Sequence, residues 1–280
     1  MNISISHNLT YQYSNKVSLD PHGLYLFPKI NESLSLINFK LEISPEPSQI
    51  YHNIDLEGNI QTIAFFNKTT DFLSFKAEIE VKTQSFNPFD FVFFPFNAST
   101  LPFSYSPDEQ MVLMPYLQKN GITTLIDQTA RSIAAESGWQ TSKYLMNLCG
   151  FINKNFKYLV REEGQPFEPE YTLLQKSGSC RDFSVLFIAF CRTIGLAARF
   201  VSGYYYSKTL DQNYLHAWVE VYLPGGGWRG FDPTQNTAVS NHHIPIAASI
   251  FPEKIGPVTG SFRGKSTSLL NTEVIVRKIN

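Results

Sequence analysis

The sequence predicts an α+β protein in which an all-β, sandwich-like N-terminal domain precedes a core of helices and antiparallel strands. Short alternating runs rich in β-branched and aromatic residues, separated by turn residues, fill residues 1–95. Apolar residues at helical spacing begin near Ile122, and period-two alternation returns after Gly195. We therefore predict a β-rich domain over 1–105, a connector over 106–120, and a core over 121–280 that includes a C-terminal closing segment.

The N-terminal region carries four strand candidates with clear turn punctuation. They are Ile3–Tyr13, Leu36–Ile43, Ile60–Phe66 and Leu73–Val81. Pro and Gly clusters separate these runs, as is typical of a β-sandwich. Residues 85–117 are dense in Phe and Pro and predict an extended connector packed against both halves.

The stretch from Ser177 to Tyr204 holds the most informative helix. Ser179 can cap it, and Asp182 three residues later completes a capping box. Apolar residues follow at helical spacing, and Gly195 stands just past the expected end. Cys180 therefore lies in the first turn, where free backbone N–H groups and the positive helix end favour a thiolate.

Two further helices precede this one in the predicted core. One carries an apolar stripe that ends before Gly138, and the other runs from Thr141 to Asn155. Cys149 lies close to the apolar face of the second helix, which indicates a structural thiol.

Three strand candidates follow: Ala197–Tyr206, Leu215–Leu223 and Trp228–Asp232. Alternation places Ala217, Val219, Val221 and Leu223 on the core face, so His216 points away from that face. An odd-length hairpin loop or a glycine bulge puts Asp232 on the same face as His216, and the glycine triplet 225–227 permits either.

If Cys180 faces His216, a nucleophile, a base and an orienting carboxylate are all present. The backbone N–H of Cys180 can then stabilise an oxyanion, with Gln175 and Tyr158 as candidate second donors. The competing interpretations are an inert packed thiol and a solvated histidine. Trp218 and Trp228 are either walls of the cleft or part of the packed sheet.

Composition excludes several classes of function. A formal net charge of -1 gives no broad basic surface for nucleic acid, and no apolar run approaches the length of a membrane span. The N-terminus lacks a basic start followed by an apolar segment, so we expect no secretory signal. Three cysteines without a CxxC pair indicate a reducing compartment, and we expect a cytoplasmic protein.

Two segments resemble the bacterial transglutaminase-like superfamily: SGSCRDFSVLFIAFCRTIGLAARFVSGY and HAWVEVYLPGGGWRGFDPT. Proteins of this superfamily are often described as candidate cysteine proteases. The resemblance implies a papain-like α+β core with Cys180 as nucleophile, His216 as general base and Asp232 as orienting acid. The segment from His7 to Pro28 resembles the N-terminal region attached to this subgroup, and the segment from His242 to Gly264 resembles its C-terminal end.

The resemblance leaves the reaction open among amide hydrolysis, transamidation and deamidation. Hydrolysis of a peptide or protein substrate needs the fewest special features, so we expect a peptidase or amidase without a cofactor. A zinc site built from the same cysteine, histidine and aspartate is one alternative. A non-catalytic binding module, with the N-terminal domain as its working part, is another. The sequence does not indicate the oligomeric state.

Overall fold

The computed structural model describes residues 1–161, 164–207 and 215–279, and it shows an α+β protein in which a core sheet lies between helices on one face and the N-terminal sheets on the other. The α-helices are α1 Pro107–Leu113, α2 Thr124–Glu136, α3 Thr141–Asn155, α4 Pro169–Gln175 and α5 Cys180–Ile194. Short 3-10 helices cover Phe96–Ser99, Met114–Leu117 and Pro252–Lys254.

Sixteen strands are described in these ranges. They are β1 Asn2–Leu19, β2 His22–Leu24, β3 Leu34–Ser44, β4 Gln49–Ile54, β5 Ile60–Phe65, β6 Thr69–Thr83, β7 Lys157–Tyr158, β8 Ser177–Gly178, β9 Ala198–Tyr205, β10 His216–Leu223, β11 Gly227–Asp232, β12 Thr237–Ala238, β13 His243–Ser249, β14 Val258–Thr259, β15 Phe262–Arg263 and β16 Ser268–Ile279.

The N-terminal region forms two sheets that share a hydrophobic core. The first has the order β15-β1-β6-β3, with β16 also paired to β1, and the second has the order β14-β2-β5-β4. Alternating residues of β1 and β6, such as Ile3, Ile5 and Ile79, are buried between the layers. The predicted β-rich, sandwich-like N-terminal region is confirmed.

The core places α5 against a five-stranded antiparallel sheet of order β12-β11-β10-β9-β13. The predicted core face of β10 is confirmed, because Ala217, Val219, Val221 and Leu223 all pack in the same cluster as the apolar face of α5. On the opposite face, Tyr204 and Ile244 pack into the N-terminal cluster. The core sheet therefore lies between α5 and the N-terminal sheets.

The C-terminal segment departs from the predicted grouping of 121–280. Strand β16 pairs with β1 along residues 2–13, and β14 and β15 pair with β2 and β1. Buried Val274 and Val276 alternate with more exposed neighbours, so this strand suits the half-buried outer sheet better than the core. The chain thus returns to the N-terminal sheets after completing the core.

Two short helices were missing from the sequence interpretation. Helix α1 lies inside the predicted connector, where Ser106 and Glu109 form a capping box around the first turn. Helix α4 lies just after the loop that begins at Arg161, and Pro169 occupies its first turn. Within the described ranges no helix combines the length and the apolar character needed to cross a membrane.

Candidate active site

Cys180 occupies the first residue of α5, and a buried carboxylate determines where that helix begins. Oδ2 of Asp182 accepts hydrogen bonds from the backbone N–H of Ser179 at 2.7 Å and from its hydroxyl at 2.8 Å. Oδ1 of Asp182 accepts from the backbone N–H of Phe167 at 2.7 Å and from Arg161 at 3.1 Å. The predicted capping box is confirmed. The same carboxylate also binds the preceding loop to the first turn of α5, which contains Cys180.

The hairpin between β10 and β11 brings His216 and Asp232 onto one face. Leu223 pairs with Gly227, which leaves a three-residue loop of the odd length that the sequence analysis required. In this register Asp232 lies diagonally across from His216. Nε2 of His216 lies 2.7 Å from Oδ2 of Asp232, and both side chains are buried.

The Cys180 thiol lines the same cleft as His216 and Ala217, and the imidazole and the Ala217 backbone N–H both favour its charged form. Burial raises the pKa of the thiol, but these two groups outweigh burial and bring the pKa below its ordinary value. Burial also disfavours a charged imidazole, yet the Asp232 carboxylate and the Cys180 sulfur raise the pKa of His216 to about 10. These opposite shifts favour a thiolate–imidazolium pair.

His243 is a further member of the site that sequence analysis missed. Its Nε2 lies 3.0 Å from the same Oδ2 of Asp232, while the backbone N–H of Ser240 donates to its Nδ1 at 3.4 Å. The second contact assigns the proton to Nε2, so His243 donates to the carboxylate. Burial lowers the pKa of His243, which keeps the ring neutral.

No sequence signal could have placed His243 here. Its strand, β13, pairs with β9, and that ladder contains a register shift between Pro245 and Ala247. Local alternation therefore does not predict which face the residue takes. The partner of His243 is Asp232, which lies eleven residues earlier in the chain.

Four hydrogen bonds satisfy the Asp232 carboxylate completely. Oδ2 accepts hydrogen bonds from Nε2 of the two imidazoles. Oδ1 accepts hydrogen bonds from the backbone N–H groups of Thr234 at 2.8 Å and Gln235 at 3.1 Å. Burial raises the pKa of this carboxyl, but the two histidines outweigh burial and hold the pKa far below its ordinary value. Asp232 is therefore a fixed anion beneath the imidazole of His216.

Of the two candidate second oxyanion donors, Tyr158 lines the cleft and Gln175 does not. Tyr158 lines the cleft together with Cys180, and burial and the nearby Cys180 sulfur raise the pKa of its hydroxyl. Gln175 ends α4 with an exposed side chain and is not among the residues that line the cleft, so that expectation is wrong.

The two tryptophans of the hairpin form no part of the cleft wall. Trp218 is buried against His243, with ring centroids 5.1 Å apart, and Trp228 packs on Tyr116 and Arg199. The interpretation of both rings as sheet packing is the one the structure supports.

A cleft of about 810 Å³ opens over the thiol. Its lining combines Cys180, His216 and Tyr158 with residues of the N-terminal sheets such as His7 and Thr272. The site is therefore enclosed by both parts of the chain, and it has room for several residues of a polymeric ligand.

His216, Asp232 and His243 also offer three possible metal-ligand atoms within 4.8 Å of one another. Both Nε2 atoms lie within hydrogen-bond distance of Oδ2 of Asp232, at 2.7 and 3.0 Å, and each is placed to donate to that carboxylate. A metal ion would have to displace both of these hydrogen bonds, so these three side chains pair with one another rather than form an open metal site.

Fold and site together define an α+β protein with a thiol, an imidazole and a carboxylate aligned at a helix tip. Residues 127–233 match the profile of the transglutaminase-like superfamily, and residues 3–82 match the profile of the bacterial transglutaminase-like N-terminal region. The chain belongs to the transglutaminase-like superfamily, in the bacterial form that carries this N-terminal region.

Relatives of similar length carry no assigned activity. "Uncharacterized protein ML0607" of Mycobacterium leprae is 21% identical over 289 residues, with 98% of each chain covered. "Uncharacterized protein Rv2569c" of Mycobacterium tuberculosis is 24% identical over 294 residues, which cover 97% of this chain and 91% of that protein. These alignments extend over both the N-terminal region and the core.

A solved structure confirms the fold along the whole chain. The crystal structure described as "a Putative Cysteine Protease from Cytophaga hutchinsonii" superposes with a TM-score of 0.72 at 22% sequence identity, covering 100% of this chain and 92% of that one. At this level of identity the likeness establishes the common fold.

Proposed function

We propose that this protein hydrolyses peptide or amide bonds through a thioester on Cys180, with His216 as the acid–base group and Asp232 as its orienting partner. One observation carries the proposal: the thiol at the tip of α5 and the imidazole of His216 line one cleft, and Nε2 of that imidazole lies 2.7 Å from a buried carboxylate. A nucleophile, a base and an orienting group in that order are what acyl transfer requires.

The reaction proceeds in two stages. The Cys180 thiolate attacks the carbonyl carbon, and the imidazolium of His216 gives the proton on Nδ1 to the departing amine as the C–N bond breaks. Nδ1 is the available nitrogen because Nε2 already donates to Asp232. His216 then takes a proton from water, the resulting hydroxide attacks the thioester, and the carboxylic acid leaves as the thiolate is restored.

The negative charge on the carbonyl oxygen is stabilised at the helix tip. The backbone N–H of Cys180 is one donor, and the Tyr158 hydroxyl beside it is the other. On substrate binding the hydroxyl directs its hydrogen at the carbonyl oxygen.

The test compares wild type, Cys180→Ala and His216→Asn on a library of peptides and small amides. Released amine and released carboxylate are quantified separately. We expect equal amounts of both products from wild type, and rates at the uncatalysed background from the two variants. Activity retained by Cys180→Ala would overturn the proposal and favour a non-catalytic binding role for the core.

The same assay distinguishes hydrolysis from transamidation and deamidation. Wild type is supplied with a glutamine-containing donor and a primary amine, and the products are resolved by mass. Transamidation adds the amine to the glutamine, whereas deamidation converts that side chain to glutamate with release of ammonia. Either product in excess over backbone cleavage would replace our proposal with that activity.

We also propose that the protein works in a reducing compartment, which we take to be the cytoplasm, on a peptide or protein substrate. Cys149, Cys180 and Cys191 are all free and buried in the structure, and a thiol nucleophile must stay reduced. Immunodetection in cytoplasmic and periplasmic fractions of the native host tests the location. Recovery in the periplasmic fraction would contradict it.

A further inference from the structure

Strand β16 has one edge that no described segment of the chain covers. It pairs with β1 on one side, and no other described strand pairs with it. In an antiparallel ladder, successive residues direct their backbone N–H and C=O alternately toward one neighbour and then the other. Every second residue of β16 therefore presents both groups to its free edge.

The register shows which residues these are. Ser14 donates to the carbonyl of Thr267, and Met1 exchanges hydrogen bonds with Thr83 on the other side of β1. Because the β1–β16 register is unbroken from residue 2 to residue 13, even-numbered residues of β1 bond to odd-numbered residues of β16. The free edge consequently belongs to Leu270, Thr272, Val274 and Val276.

All four of these residues line the cleft that contains Cys180 and His216. Their side chains do not obstruct the edge, since those of Val274 and Val276 are buried beneath the sheet. From Leu270 to Val276 the strand rises about 20 Å, the length of about six extended residues. A row of backbone donors and acceptors with which no described strand pairs thus runs along the wall of the candidate active site.

We propose that β16 binds the substrate as an added strand: an extended peptide segment pairs with the edge formed by residues 270–276, which presents one of its amide bonds to Cys180. This inference rests on the proposed function and specifies its substrate class. Backbone pairing is indifferent to side chains, so the edge recognises extended polypeptide rather than a free amino acid amide or a helix. The cleft volume of about 810 Å³ suits such a segment.

The first test leaves the enzyme unchanged and alters the backbone of the substrate. A cleavable peptide of ten residues is N-methylated at one position at a time, and kcat/KM is measured with wild type. We expect losses of about fivefold or more at every second position on one side of the cleaved bond, because each methyl group removes a hydrogen bond to the edge. The intervening positions should stay within about twofold. A profile without period two would overturn the proposal.

The second test removes one donor from the edge. Thr272→Pro deletes an N–H that points to the cleft and keeps those that bond β1, a placement that edge strands accept. Thr272→Val is the matched control: it retains the N–H and loses only the hydroxyl, which lies 3.4 Å from His7. We expect Thr272→Pro to lower kcat/KM on the ten-residue peptide about fivefold relative to Thr272→Val. Equal values for the two variants would contradict the proposal.

A single-residue acyl anilide separates this inference from the proposed function. Such a substrate reaches Cys180 without contacting the edge, so the two Thr272 variants should process it at the same rate as each other. If wild type cleaves neither anilide nor peptide, the proposed function fails. If it cleaves both and the Thr272 variants match each other on both, the proposed function stands and the strand-addition proposal fails. Equal thermal unfolding midpoints of the two variants exclude a folding defect.

Discussion

His243 donates its Nε2–H to Oδ2 of Asp232 across 3.0 Å, the same oxygen that receives Nε2 of His216 at 2.7 Å. Two imidazoles therefore share one buried anion, and only one of them contacts the thiol. We assign His243 as a positioning residue that holds the carboxylate in line with His216. Its neutral ring adds a hydrogen bond without adding a competing charge.

The first prediction concerns this second imidazole. His243→Leu removes one of the two donors to Oδ2, which lets the carboxylate swing and loosens the alignment of His216. We expect kcat to fall about tenfold with KM unchanged, and the pH dependence of kcat to shift, since the anion beneath His216 is less well fixed. His243→Gln can still donate and should recover most of the rate. An unaltered pH profile in His243→Leu would show that the residue only fills space.

The second prediction concerns Tyr158. Tyr158→Phe keeps the ring that packs on Phe183 and removes the hydroxyl next to Cys180. Loss of one oxyanion donor should lower kcat on a small anilide by about 10- to 100-fold, with KM within about threefold. Tyr171→Phe on α4 is the control and should match wild type. A faster Tyr158→Phe enzyme would mean that the hydroxyl blocks the oxyanion site.

The third prediction concerns acid stability. His7 is buried on β1, where burial lowers its pKa from 6.5 to about 4. Between these values the unfolded chain binds a proton that the folded chain does not, so stability is full above about pH 6.5 and falls as the pH drops toward 4. The shift corresponds to roughly 3 kcal/mol.

Urea unfolding of wild type, His7→Gln and the exposed control His52→Gln at pH 7 and pH 4.5 measures this effect. Wild type and His52→Gln should lose similar free energies of unfolding between the two pH values, and His7→Gln should lose roughly 2–3 kcal/mol less. The same loss in all three proteins would show that His7 does not titrate as its burial implies.

The fourth prediction concerns Gly203, which pairs with His216 across β9 and β10. A Cβ at this position would lie 2.3 Å from the carbonyl oxygen of Ile244 and 2.5 Å from Cη2 of Trp218. Gly203→Ala should therefore destabilise the protein by about 1–3 kcal/mol and slow turnover through the displaced sheet. Gly150→Ala in α3, whose added methyl group would meet only Oδ1 of Asn236 at 3.6 Å, should be neutral or stabilising. Equal unfolding midpoints for the two variants in urea would contradict this account.

The sequence predicts those parts of the fold that depend on local rules. The capping box at Ser179 and the apolar stripe of α5 are local, and the alternation of β10 identifies its core face. The odd hairpin loop then limits Asp232 to the face of His216. These are contacts between neighbours in sequence or across one turn, so residue type and spacing are sufficient.

What the sequence does not predict depends on contacts between distant segments. His243 reaches Asp232 only because β13 folds back beside β9 with a shifted register, and β16 closes the cleft only because it crosses to β1. The short helix α4 forms at Pro169–Gln175, directly after a loop rich in prolines and acidic residues. In each case the local sequence pattern permits several structures, and tertiary packing decides which of them forms.

The central claim is that Cys180 is a thiolate paired with the imidazolium of His216. The most direct test is the rate of iodoacetamide alkylation of Cys180 as a function of pH, with modification followed by mass and with Cys180→Ala as the blank. The account predicts a rate that inflects well below the ordinary thiol pKa of about 8.5, and an inflection that returns toward that value in His216→Asn. An inflection near the ordinary value in wild type, unchanged in His216→Asn, would contradict it.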